Sequence, residues 1–153
     1  VVDSQEALQA RFSRGELQRD FVAVVRGQGP RCNGMPELHK LTPLLGALQD
    51  QGYRVALLTD GRMSGASGKV LAAIHLSPDS AQQGPICRIR EGDLIEIDCA
   101  AGTLEACVDE QEWSRRDPWQ AQTQAGLSHG RGLFGLFRSH AGDTEHGASA
   151  LIA

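Results

Sequence analysis

Short apolar blocks alternate along this chain with polar, glycine-punctuated connections. The block "FVAVV" (Phe21 to Val25) is continuous in apolar character, which predicts a strand buried on both faces. "YRVALL" (Tyr53 to Leu58), rich in branched residues, predicts a second buried strand. Between them, "LTPLLGALQDQG" spaces Leu44, Leu45 and Leu48 as one helix face. Thr42 can cap this helix, Pro43 suits its first position and Gly52 is a natural stop. Residues 1–20 predict a short helix with Asp3 or Ser4 as cap and Leu8, Phe12 and Leu17 as apolar contacts. Strand, loop, helix, strand is a βαβ-like unit, whose loops cluster at one end of the sheet.

The texture then changes. "AAIHLSP" (Ala72 to Pro78) predicts a strand ending in a turn, and Gly84 to Trp113 reads as three short strands. Glu91-Gly92-Asp93 and Ala101-Gly102 supply the turns. Alternation in "LIEID" directs Leu94, Ile95 and Ile97 toward a core and Glu96 and Asp98 toward water. This half is β-rich and antiparallel, a barrel or sandwich rather than a second βαβ unit. Ser114 to Gly132 is polar and loop-like, anchored by Trp119. "LFGLFRSH" (Leu133 to His140) predicts a short apolar helix, whose Leu133, Phe134 and Phe137 serve either as core or as a docking face. The expected fold class is α/β with a β-rich half and flanking short helices, in a single domain over 1–153.

Composition narrows the function. With 153 residues, 41% of them hydrophobic, the chain can bury one real core. A net charge of −4 with interspersed signs argues against an electrostatic nucleic-acid binder. No apolar run approaches the ~20 residues of a membrane helix, and the polar start is unlike a signal peptide. The chain begins at Val1 without methionine, which suggests processing or a piece of a longer protein. Cys32, Cys87, Cys99 and Cys107 form no C-x-x-C pair and no structural-zinc spacing, so free thiols in a cytoplasmic protein are expected. Cys99 and Cys107 flank a hairpin and can face each other across it, or simply pack.

"TDGRMSGASG" (Thr59 to Gly68) carries the candidate chemistry. It fails as a phosphate loop, since Met63 stands where the first glycine belongs and Val70 where a hydroxyl belongs. A nucleophile elbow fails as well, because Arg62 precedes Ser64 and Lys69 follows Ser67 at the glycine positions. Gly27, Gly29 and Cys32 do not complete a dinucleotide fingerprint. Two glycine-bearing loops, Gly27 to Glu37 and Asp60 to Gly68, nevertheless leave the same ends of neighbouring strands. They bring Glu37, Asp60, Arg26, Arg31, Arg62, Ser64 and Ser67 to one place, with glycines that let N–H groups approach an anion. That set suits a polyhydroxylated, acidic small molecule.

"GPRCNGMPELHKLTP" followed by "TDGRMSGASGKV" resembles the C-terminal part of the dihydroxy-acid and 6-phosphogluconate dehydratase family. The likeness extends in order through "HLSP", "GPI", "EGDLIEID" and "GRGLFGLFR…EHGASA". The form of both loops and of the tail resembles the sugar-acid phosphate branch. The resemblance implies loss of water from a 2,3-dihydroxy acid, converting 6-phosphogluconate to 2-keto-3-deoxy-6-phosphogluconate in the Entner–Doudoroff pathway. It implies an iron–sulfur cluster (4Fe-4S) acting on the departing C3 hydroxyl, and Mg2+ on the carboxylate and C2 oxygen. Ser64 matches the family's serine base and Glu37 its magnesium-ligating glutamate. A serine hydroxyl becomes a base only beside a cation and backbone donors, which the ion and the Gly65 amide can supply. Hard-oxygen Mg2+ chemistry fits Glu37 and excludes the cysteines.

None of the four cysteines maps onto a cluster ligand. The resemblance therefore implies an N-terminal cluster-binding domain outside this chain, an inactive isolated chain, a homodimeric full-length enzyme and a swivelling β-barrel-like fold for this domain. Each residue also has a plainer role. Ser64 can satisfy a tight turn, Glu37 can complement a helix dipole, Asp60 can cap a strand end and Arg62 can form an ion pair. Arg31, His39 and Lys40 are candidates for a substrate phosphate or a solvated helix start, and Gly65 and Ser67 for substrate contacts. His75, His129, His140 and His146 are read as surface or packing residues. The alternatives are a dihydroxy-acid or unphosphorylated aldonate dehydratase domain, and a stand-alone anion-binding or regulatory module. A hydrolase using Ser64 lacks an elbow and a placed histidine.

Overall fold

Phe21–Val25 (β1) and Val55–Thr59 (β2) pair in parallel over their whole length, Phe21 opposite Val55 and Val25 opposite Thr59. This is the central ladder of a computed structural model that describes residues 1–63, 68–121 and 132–151. Two parallel neighbours need a long crossover, and it contains the helix α3 (Leu41–Asp50), after a single helical turn, α2 (Pro30–Asn33). The expected βαβ unit is present. α3 begins just before the expected Thr42 cap; Lys40 is its cap residue, and the Thr42 hydroxyl turns to the Met63 sulfur at 3.8 Å.

β3 (Leu71–Ala73) joins the free side of β2, also in parallel, giving the order β1-β2-β3. The N-terminal helix α1 (Gln5–Ser13) is capped by Ser4, whose hydroxyl accepts the Ala7 N–H at 3.1 Å. One sheet face packs Ala23, Val25, Val55 and Leu57 against Leu8, Leu17 and the leucines of α3. The opposite face packs Val24 and Leu58 against Ile86, Cys87 and Ile89. Ile95, Ile97 and Trp113 close that second core. Ile95 and Ile97 belong to the antiparallel hairpin of β4 (Ile95–Asp98) and β5 (Thr103–Ala106), and Trp113 to α4 (Glu110–Arg115). The chain ends in α5 (Gly135–His140) and a 3₁₀ turn at Thr144–His146.

The β-rich, barrel-like half requires correction. Among the described residues no barrel closes: β4 and β5 pair only with each other, and helical residues outnumber those in strands. Where the first of three antiparallel strands was expected, Pro85–Arg88 forms a 3₁₀ turn. Proline lacks the ladder N–H and has its φ preset for such a turn. Leu94 is 69% exposed rather than in the core. Cys99 follows β4 at the turn, whereas Cys107 donates its N–H to the Leu94 carbonyl at the open end, so the two cannot meet. All four cysteines are free.

The hairpin is held down by Arg116, whose side chain is only 5% exposed. Its guanidinium donates to Asp93 Oδ1 at 2.9 Å and to the Arg88 carbonyl at 3.1 Å, and Glu112 accepts from it as well. It also lies over the Trp113 ring.

Two outcomes follow from this packing. Leu45 is fully buried beneath the sheet, so Leu45→Ala lowers unfolding free energy by about 2–5 kcal/mol in urea denaturation. The hydrogen bond from Arg116 holds the Asp93 carboxyl below its ordinary range. A depressed carboxyl pKa contributes stability above the unfolded value, and that stability disappears as pH falls through the folded value. Acid unfolding should therefore show a smaller pH dependence below about pH 4 in Asp93→Asn than in the parent.

Candidate functional site

Ligands of open parallel sheets bind beyond the carboxyl ends of the strands, where β1 and β2 release the two glycine-bearing loops. Asp60, the first residue after β2, is completely buried. Its Oδ1 accepts the Gln28 N–H at 2.9 Å, and its Oδ2 accepts the Ser80 N–H at 2.9 Å. The Ser80 hydroxyl in turn accepts the Gly27 N–H at 2.9 Å. One carboxylate thereby ties the loop after β1, the loop after β2 and the 3₁₀ turn Ser80–Gln82. Close approach makes glycine necessary at Gly61, where an added Cβ would lie 2.7 Å from the Gln28 Cβ. At Gly27, with φ +73°, an added Cβ would lie 2.6 Å from the Trp119 ring, over which Arg26 stacks at 4.9 Å.

Further out the loops join by main chain. Glu37 and Arg62 form a parallel bridge, and the Leu38 N–H donates to the Arg62 carbonyl at 3.0 Å. The exposed Arg62 side chain donates back to the Met35 carbonyl at 2.8 Å. Beside this seam lies a 470 Å³ cleft between Met35, Arg62 and the C-terminal segment, including Phe134, Phe137 and Ala148. Sequence reasoning placed Glu37 and Arg62 together, and they are adjacent.

The other candidates separate. Arg31 donates to the Ala141 carbonyl at 2.7 Å and pairs with Asp143 at 3.3 Å, fastening the C-terminal segment to α2. His39 and Lys40 are exposed just before α3, with the Lys40 N–H on Gln5 Oε1. Asp60 faces inward and holds the loops. Ser64, Gly65 and Ser67, and also His129, lie outside the described residues. The chain on either side of residues 64–67 is anchored: Met63 and Val70 are buried, and Lys69 pairs with Asp50 at 2.8 Å. The C-terminal wall of the cleft was not foreseen as part of the site; its signal is the apolar "LFGLF" in an otherwise polar tail.

Burial, with Asp60 and Asp79 nearby, pushes the Cys32 thiol up to about 12, and burial also raises Cys87. Both remain protonated at neutral pH. Among the described residues no group of three or more His, Cys, Asp or Glu side chains is arranged to hold a metal ion. An iron–sulfur cluster therefore does not fit the described residues as its ligand set. Mg2+ needs only one or two carboxylates beside water and substrate oxygens, so half-buried Glu37 fits as a single ligand of a site completed elsewhere.

The Asp60 clamp can be tested directly. Asn offers one acceptor oxygen in place of two, leaving a buried N–H without its partner. Asp60→Asn should lower stability by about 1–3 kcal/mol in chemical denaturation.

Residues 1–148 match the family described as dihydroxy-acid/6-phosphogluconate dehydratase C-terminal. A phosphogluconate dehydratase of Pseudomonas aeruginosa is 54% identical over 148 residues, covering 97% of this chain and 24% of that protein. One of Zymomonas mobilis is 51% identical over 153 residues, covering 100% of this chain and 25% of that protein. Dihydroxy-acid dehydratase 2 of Bordetella bronchiseptica is 39% identical over 131 residues, covering 84% and 22% respectively. The chain spans about a quarter of the length of the curated relatives it matches.

Proposed function

The chain belongs to the dihydroxy-acid/6-phosphogluconate dehydratase family as a C-terminal domain, and from that premise we propose that it serves a hydro-lyase acting on 6-phosphogluconate. The reaction removes the C2 proton and expels the C3 hydroxyl as water. The resulting enol takes a proton at C3 and becomes 2-keto-3-deoxy-6-phosphogluconate. The observation that carries this reading is the main-chain bridge between Glu37 and Arg62. It aligns the carboxylate loop with the loop that continues, two residues after Arg62, into Ser64. The greater identity to phosphogluconate dehydratases than to the dihydroxy-acid dehydratase supports the phosphorylated substrate.

In this assignment Ser64 removes the C2 proton, with the Gly65 amide as a donor to the alkoxide. Glu37 holds Mg2+, which supplies Lewis acidity toward the substrate carboxylate and C2 oxygen when bound. Arg62, exposed at the cleft, and Ser67 bind substrate, with His39 and Lys40 offering cations to the phosphate. Arg31 and Asp60 act through the segments they fasten. The 4Fe-4S cluster is assigned to an N-terminal domain of the full-length enzyme, where it would act as Lewis acid on the departing C3 hydroxyl. The enzyme is proposed as a cytoplasmic homodimer; among the described residues no helix is long and apolar enough to cross a membrane.

The test uses the full-length enzyme, reconstituted anaerobically. Ser64→Ala should reduce kcat by about 10²–10⁴-fold while the iron chromophore remains, and Glu37→Gln should raise the Mg2+ concentration needed for half-maximal activity. Undiminished turnover in Ser64→Ala would refute the assigned base. Equal turnover of unphosphorylated gluconate would remove the phosphate from the assignment.

A further inference from the structure

Two guanidinium groups line the cleft beside the seam. Arg62, from the loop after β2, and Arg138, from α5, stand there with Gly34, Met35, Phe134 and Phe137. The Arg62 side chain is fixed through Nε, which donates to the Met35 carbonyl at 2.8 Å, so its terminal nitrogens are the ones it offers to a ligand. The Arg138 stem crosses the end of α2. A Cβ added at Gly34, where φ is +71°, would lie 3.8 Å from its Cγ and 3.9 Å from its Cδ. Its Nη2 lies 3.9 Å from where a Cβ would stand at Gly135, so glycines of two elements flank this side chain. The described lining includes no Asp or Glu, and the sequences of 64–67 and 122–131 contain none. The Phe134 and Phe137 rings, 6.1 Å apart, add apolar wall, beside which a cation attracts an anion more strongly than in open water.

We propose that Arg138, together with Arg62, forms the subsite for the terminal phosphate of the substrate, and that Arg138 distinguishes a phosphorylated sugar acid from an unphosphorylated one. The inference deepens the hydro-lyase reading and rests on it for the identity of the ligand. A phosphate monoester carries close to two negative charges at neutral pH. Planar guanidinium forks match its oxygens in geometry as well as in charge. The cleft, at 470 Å³, has the size usual for small-molecule sites and leaves room for the carbon chain. The phosphate of 6-phosphogluconate stands four carbons beyond C2, and Arg62 stands two residues before the assigned base, at most about 7 Å of chain. One substrate can therefore span both. Neither His39 nor Lys40 is among the residues lining the cleft. Their positive charges act on the phosphate from outside it, whereas Arg138 meets it directly.

The experiment compares the full-length enzyme, reconstituted anaerobically, with its Arg138→Met variant, which keeps a stem against Gly34 and removes the charge. kcat/KM is measured for 6-phosphogluconate and for gluconate, and binding of inorganic phosphate is titrated by phosphorus NMR. The ratio of the two kcat/KM values should fall about 10–100-fold in Arg138→Met, as for loss of hydrogen bonds to a charged group. Phosphate binding should weaken by a similar factor. Arg138→Lys should recover part of both, because it restores the charge without the fork. A ratio unchanged in Arg138→Met would overturn the inference, whether turnover falls equally on both substrates or on neither, since Arg138 would then only support the helix. Phosphate binding of parental strength in Arg138→Met would overturn it too, placing the anion on other groups. If the parent enzyme turns over both substrates alike while Arg138→Met still weakens phosphate binding, the choice of 6-phosphogluconate falls and the anion subsite stands.

Discussion

Everything at the strand ends depends on one buried carboxylate. Asp60 has no exposure to water, and a polar side chain in that position is tolerated only when its oxygens are hydrogen-bonded. The Gln28 and Ser80 N–H groups engage them. Those groups come from segments about fifty residues apart in the chain, which the Gly27 N–H also joins directly through the Ser80 hydroxyl. The neighbours of this clamp follow. The His75 N–H reaches the Gly61 carbonyl at 2.9 Å, and the Leu76 N–H reaches the Thr59 carbonyl at 3.1 Å. The exit of β3 is thus tied to the same short stretch of β2 that sends out the second loop.

Much of this framework is legible in the sequence. β1 falls on "FVAVV" because an unbroken apolar run between Asp20 and Arg26 has only one way to be buried on both faces. The shared end of the two loops follows from parallel pairing across a helical crossover. The barrel expectation failed because alternation reports which side chains are buried, not which backbone they pair with. Ile95 and Ile97 pack onto the sheet through side chains while β4 hydrogen-bonds only to β5. The Arg116 anchor was invisible for a related reason: Glu112 is a local i,i+4 neighbour, but Arg88 and Asp93 meet it from 28 and 23 residues away.

The site was legible to a different depth. Glycines and acids at strand ends pointed to two loops that leave the same end of the sheet, and Glu37 with Arg62 emerged as neighbours. The direction in which Asp60 faces could not be read, since its partners are backbone groups that any residue type would offer. The same holds for Arg31, whose partners lie in the C-terminal segment more than a hundred residues away.

The join between Glu37 and Arg62 is a main-chain bridge, to which the Arg62 side chain adds one bond on the Met35 carbonyl. Architecture and chemistry are consequently separable at this seam. The main-chain bond from Leu38 to Arg62 does not depend on which side chains stand at 37 and 62. The backbone that presents the cleft is thereby distinct from the side chains that line it.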